Sequence, residues 1–197
     1  MSLLRSRSGD FLERRWLVAL FLLATAVLAA PVDARAADVG DATYPFARFV
    51  GEWTLENDRF EQVWDGETIE VLSIPGHRTN CAAVNTDYSV FCVVDAGGLK
   101  GHILWAASAD RRSVSHLSHF GDRRVGVGKG RLSDSGDLTL TIVFEDEPEG
   151  TYRQYTYEWI DANRYKMMSV QYGPDDAPTG NWYGGVFVRS GLDSLAN

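Results

Sequence analysis

The feature that most constrains this chain is an alternation of apolar and polar residues, broken every 8 to 15 residues by a turn signal. Asp137 to Glu145 is the clearest stretch. There Leu138, Leu140, Ile142 and Phe144 alternate with Thr139, Thr141, Val143 and Glu145. A period of two places alternate side chains on opposite faces of a strand. The pattern predicts strands over 51–57, 59–64, 67–74, 79–85, 88–94, 99–107, 112–120, 123–132, 137–145, 151–160, 163–172 and 181–189. Asp65-Gly66, Pro75-Gly76, Gly97-Gly98, Asp134-Ser135-Gly136, Pro148-Glu149-Gly150 and Gly173-Pro174 separate them. Only 44–50 (YPFARFV) reads as helical, about one turn. Strands at this spacing, without crossover helices, make an antiparallel meander. A meander of eight or more strands must close or cover its edges, and a barrel closes them. The expected fold is therefore all-β, a single antiparallel up-and-down β-barrel over residues 37–197.

Residues 1–36 read as a cleaved signal peptide. Trp16 to Ala30 is an uncharged apolar run of 15 residues, shorter than the roughly 20 that a membrane-spanning helix needs. Arg5, Arg7, Arg14 and Arg15 precede it, and Ala34-Arg35-Ala36 after Pro31 is a small-x-small cleavage site. No cysteine follows the run, so a lipid-modified anchor is not expected. Arg14-Arg15-Trp16-Leu17-Val18 also resembles a twin-arginine signal, with Glu13 where that signal usually has Ser or Thr. Sec and twin-arginine export stay open, as does an uncleaved signal anchor. Removing the leader's five arginines and three acids leaves 14 cations against 24 acids, a charge of −10. That balance excludes a strongly basic nucleic-acid binder. The expected compartment is a bacterial periplasm or the exterior.

Two cysteines fit an oxidising compartment. Cys81 and Cys92 flank Thr86-Asp87 and fall opposite each other if that dipeptide turns a hairpin. A disulfide is expected. A strict two-residue turn would put the pair at a hydrogen-bonded site, with Cα atoms about 5.5 Å apart.

The first strand opens as Phe49-Val50-Gly51-Glu52-Trp53, and the last reads Trp182-Tyr183-Gly184-Gly185-Val186-Phe187-Val188-Arg189. A G-x-W after a helical turn, with a late arginine, resembles the lipocalins and the wider calycin group. The order of strands and turns over roughly residues 44–190 is similar to secreted bacterial lipocalin-like proteins of uncharacterised function. The resemblance implies a lipocalin-like barrel in which Arg189 packs over Trp53 beside Gly51, a structural role. Thr86-Asp87-Tyr88 repeats a lipocalin signature in letters, but it lies too soon after Trp53 and reads as coincidence. Haem-binding relatives supply a late histidine, whereas the last histidine here is His119.

Aromatic residues cluster on single strand faces. Tyr155, Tyr157 and Trp159 alternate along one strand, and Tyr165, Met167, Ser169 and Gln171 along the next. Trp64 shares a face with Phe60 and Gln62, and Trp105 with Ile103. A small barrel fills its interior with side chains or holds one small ligand. The expectation is a lumen for a small, mostly apolar ligand. Trp64, Trp105, Tyr155, Tyr157, Tyr165 and Met167 would line it, and Gln62, Ser169 and Gln171 would orient the ligand's polar end. A packed aromatic core, serving as an envelope interaction module, is the bland alternative. An enzyme of cyclase or isomerase type is another, with Arg153 or His102 as the titratable group in the lumen.

The remaining motifs read as structural. Gly126, Gly128 and Gly130 share a face and suit barrel curvature or a ring lying on bare backbone. His116 and His119 point to opposite faces and cannot share a metal. His77 and His102 have no evident partner, and Glu145-Asp146-Glu147-Pro148-Glu149 lacks calcium-loop spacing and reads as a solvated hairpin loop. No catalytic triad, metal site, cofactor or nucleic-acid partner is expected, and the oligomeric state stays open.

Overall fold

The computed structural model describes residues 44–85 and 88–191. The leader, its cleavage site and the Thr86-Asp87 turn lie outside the described residues. Twelve antiparallel strands follow one another: β1 (Gly51–Leu55), β2 (Arg59–Val63), β3 (Glu70–Ser73), β4 (Arg78–Asn85), β5 (Ser89–Ala96) and β6 (Leu99–Ala107). The second half comprises β7 (Ser113–Phe120), β8 (Arg124–Leu132), β9 (Leu138–Phe144), β10 (Tyr152–Asp161), β11 (Arg164–Tyr172) and β12 (Pro178–Arg189). The expected helical segment is a single 3-10 turn, Ala47–Phe49. Among the described residues no helix is long and apolar enough to cross a membrane.

Strands β4 to β12 pair in sequence order, and β1 pairs with both β4 and β12, which closes a ten-strand up-and-down barrel. β1 and β2 are two halves of one edge, broken at Asn57 and Asp58, both at positive φ. The long β12 therefore pairs with β1 through Phe187–Arg189 and with β2 through Trp182–Gly184. β3 hangs on β2 as an outer edge. β12 begins at Pro178, earlier than the sequence pattern placed it, and β3 is shorter.

Alternation sorts the side chains as expected: β9 buries Leu138, Leu140, Ile142 and Phe144 and exposes the residues between. The glycine stripe of β8 is a matter of close approach. A Cβ on Gly130 would lie 1.8 Å from the Thr139 carbonyl oxygen, and one on Gly126 would lie 2.5 Å from the Phe144 ring. Cys81 and Cys92 form the expected disulfide. Their Cα atoms are 4.0 Å apart, the close, non-hydrogen-bonded kind of cross-strand site rather than the hydrogen-bonded one. An irregularity between Ala83 and Asn85 shifts the hairpin register toward its turn, which accounts for the difference.

One end of the barrel is shut. Phe46, Phe49 and Trp53 are fully or nearly fully buried there and pack against Trp105, Trp159, Tyr157 and Tyr165. Trp53 Nε1 donates to the Phe49 carbonyl at 2.8 Å. Arg189 stacks 4.2 Å from the Trp53 ring centre, as the calycin resemblance implies.

Candidate functional site

The other end opens into a cavity of about 510 Å³. Strand register orders the inward-facing residues on this side of the barrel in depth. Nearest the mouth, Arg153 faces Gln171; below it come Tyr155, Ser169, Tyr183 and Gln62; then Tyr157, Met167 and Gly185. The floor row is Trp159, Tyr165, Phe187 and Leu55. The facing wall supplies Val94, Ile103, Trp105 and the Cys81–Cys92 disulfide, and Leu72, Ile74, Leu99 and Phe120 rim the mouth. This volume lies within the range of small-molecule sites.

Trp105, Tyr155, Tyr157, Tyr165 and Met167 are buried and line this cavity. Gln62 and Trp64 lie at its mouth. Trp64 is 49% exposed, and the Gln62 amide is turned away, donating to Glu70 Oε2 at 2.8 Å. Ser169 and Gln171 are buried but do not line the cavity. Ser169 is small, and the larger Tyr155 and Tyr183 on either side meet over it, hydroxyl to hydroxyl. The Gln171 amide nitrogen donates to Glu147 Oε2 at 3.1 Å, and its oxygen accepts from Thr179 and Asn181 at 2.9 Å each.

Both polar residues serve a buried ionic cluster that the sequence pattern did not disclose. The acidic segment after β9 is not a solvated loop throughout, because Glu147 turns inward with only 6% of its side chain exposed. It accepts from Arg153 Nε at 2.5 Å and from Arg124 Nη2 at 2.8 Å. Arg124 also holds both Asp146 oxygens at 2.9 Å and lies over the Phe144 ring. Arg153 is fully buried between the Trp64 and Tyr183 rings, 4.8 and 4.7 Å from their centres. Burial opposes ionisation of Glu147, but Arg124, Arg153 and Gln171 outweigh it and hold the carboxyl below the usual range. A carboxylate between one buried and one half-buried guanidinium explains why charge is tolerated here.

The histidines divide by face. His102 is exposed and stacks on Phe91, outside the lumen. His119 faces outward and His116 inward. His116 Nδ1 accepts from Trp105 Nε1 at 2.9 Å, and Nε2 lies 2.9 Å from Ser118 Oγ, which fixes a neutral tautomer. Burial pushes its pKa down to about 4. His77 is buried and lines the cavity beside Thr79, with its pKa also lowered by burial. Neither His77, Tyr183 nor the rim residues were legible as lumen positions, since single letters in short strands carry no facing information without the register.

No protein-family model matches the sequence, and no curated protein does. Among solved structures, the S-type phycobiliprotein lyase CPES from Guillardia theta is 11% identical, with a TM-score of 0.47 over 74% of this chain and 90% of that one. EF1p2_mFAP2b bound to DFHBI is 12% identical, with a TM-score of 0.36 over 75% and 98%. A DUF3598-family protein of unknown function from Nostoc punctiforme is 10% identical, with a TM-score of 0.20 over 74% and 98%. The strand pairing described above, not these distant likenesses, establishes the closed ten-strand antiparallel up-and-down barrel.

Proposed function

We propose that this chain is an exported, lipocalin-like carrier that holds a small, mostly apolar ligand in its lumen. The observation that carries the reading is the aromatic cavity of about 510 Å³, closed at one end by the Trp53 cluster and open at the other. A packed adaptor barrel would have filled that volume with side chains, since interiors pack to crystal-like density. Export rests on the leader's composition and on the disulfide, which suits an oxidising compartment. Ligand contact falls to Trp105, Tyr155, Tyr157, Tyr165 and Met167, with Trp64 and Gln62 at the mouth. Burying about 300 Å² of apolar ligand surface yields roughly 7 kcal/mol before association costs, so micromolar affinity is expected.

Native mass spectrometry on protein purified gently from its own host tests this reading. A discrete extra mass released on denaturation supports a carrier. The mass of residues 37–197 less two hydrogens, with nothing bound and no small apolar molecule retained from the host's lipid extract, refutes it.

A further inference from the structure

Most tyrosine and tryptophan side chains packed into this barrel have hydrogen-bond partners, whereas His77 Nδ1 is a buried ring nitrogen without one. Tyr44 donates to the Ser89 carbonyl at 2.7 Å, and Trp159 Nε1 to the Gly136 carbonyl at 2.9 Å. Trp53, Trp105 and Tyr155 have the partners already described. The Tyr157 and Tyr165 hydroxyls have no hydrogen-bond partner among the described residues, although both side chains are more than nine-tenths buried. Buried phenols normally find such a partner. These two residues line the cavity in its lowest rows, with ring centres 6.0 Å apart. Neither oxygen is among the fully enclosed atoms that lack a partner, so both open onto the cavity and offer their O–H groups to whatever enters the lumen.

The chemistry of that group follows from its surroundings. Burial, uncompensated by any hydrogen bond, raises both phenols above the ordinary tyrosine range, so each remains protonated at neutral pH. A phenol donates well and accepts poorly, because its oxygen lone pair is delocalised into the ring. The group facing it is thus an acceptor. It is also uncharged. Among the described residues Arg124 is the one permanent cation lining the cavity, and it sits at the mouth paired with Asp146 and Glu147. An anion on the floor would have no cation to pair with directly, since Arg189, whose charge reaches Tyr165, already donates to the Val50 and Arg48 carbonyls. Met167 and Phe187 give the lower cavity apolar surface, with His77 packed edge-on against Phe187, 5.3 Å between ring centres.

We infer that the ligand enters with a neutral carbonyl oxygen foremost, of the ketone, quinone or ester class, and that Tyr157 and Tyr165 donate to it at the floor. This rests on the lumen being a binding site. The probe pair is 6-propionyl-2-(dimethylamino)naphthalene and its parent without the ketone, 2-(dimethylamino)naphthalene, titrated by fluorescence into the intact protein. The ketone should bind about tenfold tighter than the parent. In the Tyr157→Phe/Tyr165→Phe protein that ratio should fall to near one through the ketone alone, with a blue shift of its bound emission. A native circular dichroism spectrum and an unchanged urea midpoint report that the barrel of the variant is intact. The bound carbonyl's infrared stretch gives a readout without mutation and should lie below its value in dry hexane. Equal binding of the two probes, a ratio that survives both substitutions or an unshifted stretch overturns the inference and leaves the carrier reading standing. Binding of neither probe overturns the carrier reading itself.

Discussion

Arg189 lies 4.2 Å over the Trp53 ring while its two terminal nitrogens donate to the Val50 and Arg48 carbonyls at 2.7 and 2.9 Å. One guanidinium thus clamps the 3-10 turn, the first strand and the last strand at the closed end. Lysine carries the charge but not the planar fork. Arg189→Lys should destabilise the protein by about 1–3 kcal/mol, read from the urea midpoint. An unchanged midpoint would reduce the clamp to a bystander.

Glu147 ties the β9–β10 loop to Arg124 and Arg153. Its carboxyl is held below the usual range, so in the unfolded chain it takes up a proton at a higher pH than in the fold. The stability it provides is complete above about pH 5 and is lost as pH falls through its lowered folded value. Glu147→Gln should cost about 3 kcal/mol at pH 7 and should flatten the decline in melting temperature between pH 5 and pH 3. Parallel pH curves for the two proteins would contradict this.

His116 works at a higher pH. It stays neutral in the fold down to about pH 4, whereas an exposed histidine protonates near 6.5. Between those values the unfolded chain binds the extra proton, so stability falls as pH drops from about 6.5 to 4, by about 3 kcal/mol in all. The ring nitrogens should show a neutral tautomer by NMR at pH 5.5, and Trp105 indole fluorescence should stay unquenched until near pH 4. A histidine titrating at 6.5 would mean that the Trp105–His116–Ser118 chain does not form.

Val94 lines the cavity from β5 and is buried without being crowded. In a filled core, replacing it with tryptophan would strain the packing by about 1–3 kcal/mol or more. Here Val94→Trp should leave the urea midpoint unchanged or higher and abolish uptake of small apolar molecules in native mass spectra. Unfolding without any change in occupancy would mean that the space is not a lumen.

The wall of the barrel was readable from residue order because strand alternation and turn chemistry are local properties. Leu138 to Phe144 announces its own buried face, and Gly51, Trp53 and Arg189 announce the closed end once the calycin resemblance is noticed. The lumen was only half readable. Tyr155 and Tyr157 follow from alternation along β10, but whether a side chain reaches open space depends on its neighbours across the sheet. Ser169 sits on the correct face and is roofed over by Tyr155 and Tyr183, a relation fixed by register rather than by sequence distance. Glu147 belongs to an acidic run that resembles any solvated loop. Only the placement of Arg124 and Arg153, 23 and 6 residues away, draws it inward.

The closure of β1 against β12 also bears on how the molecule assembles. The pairings within β4 to β12 join neighbours in sequence and can zip up hairpin by hairpin, whereas β12 must reach back to both β1 and β2, and Arg189 meets Val50 across 139 residues. Joining such distant segments carries a loop-closure cost that nearby contacts avoid. Contact order makes the shutting of the hoop, after the meander exists, the expected slow step in folding. Loss of the last strand would leave β1 and β2 both without their shared partner, so the chain has to be complete to its twelfth strand before it holds a closed shape.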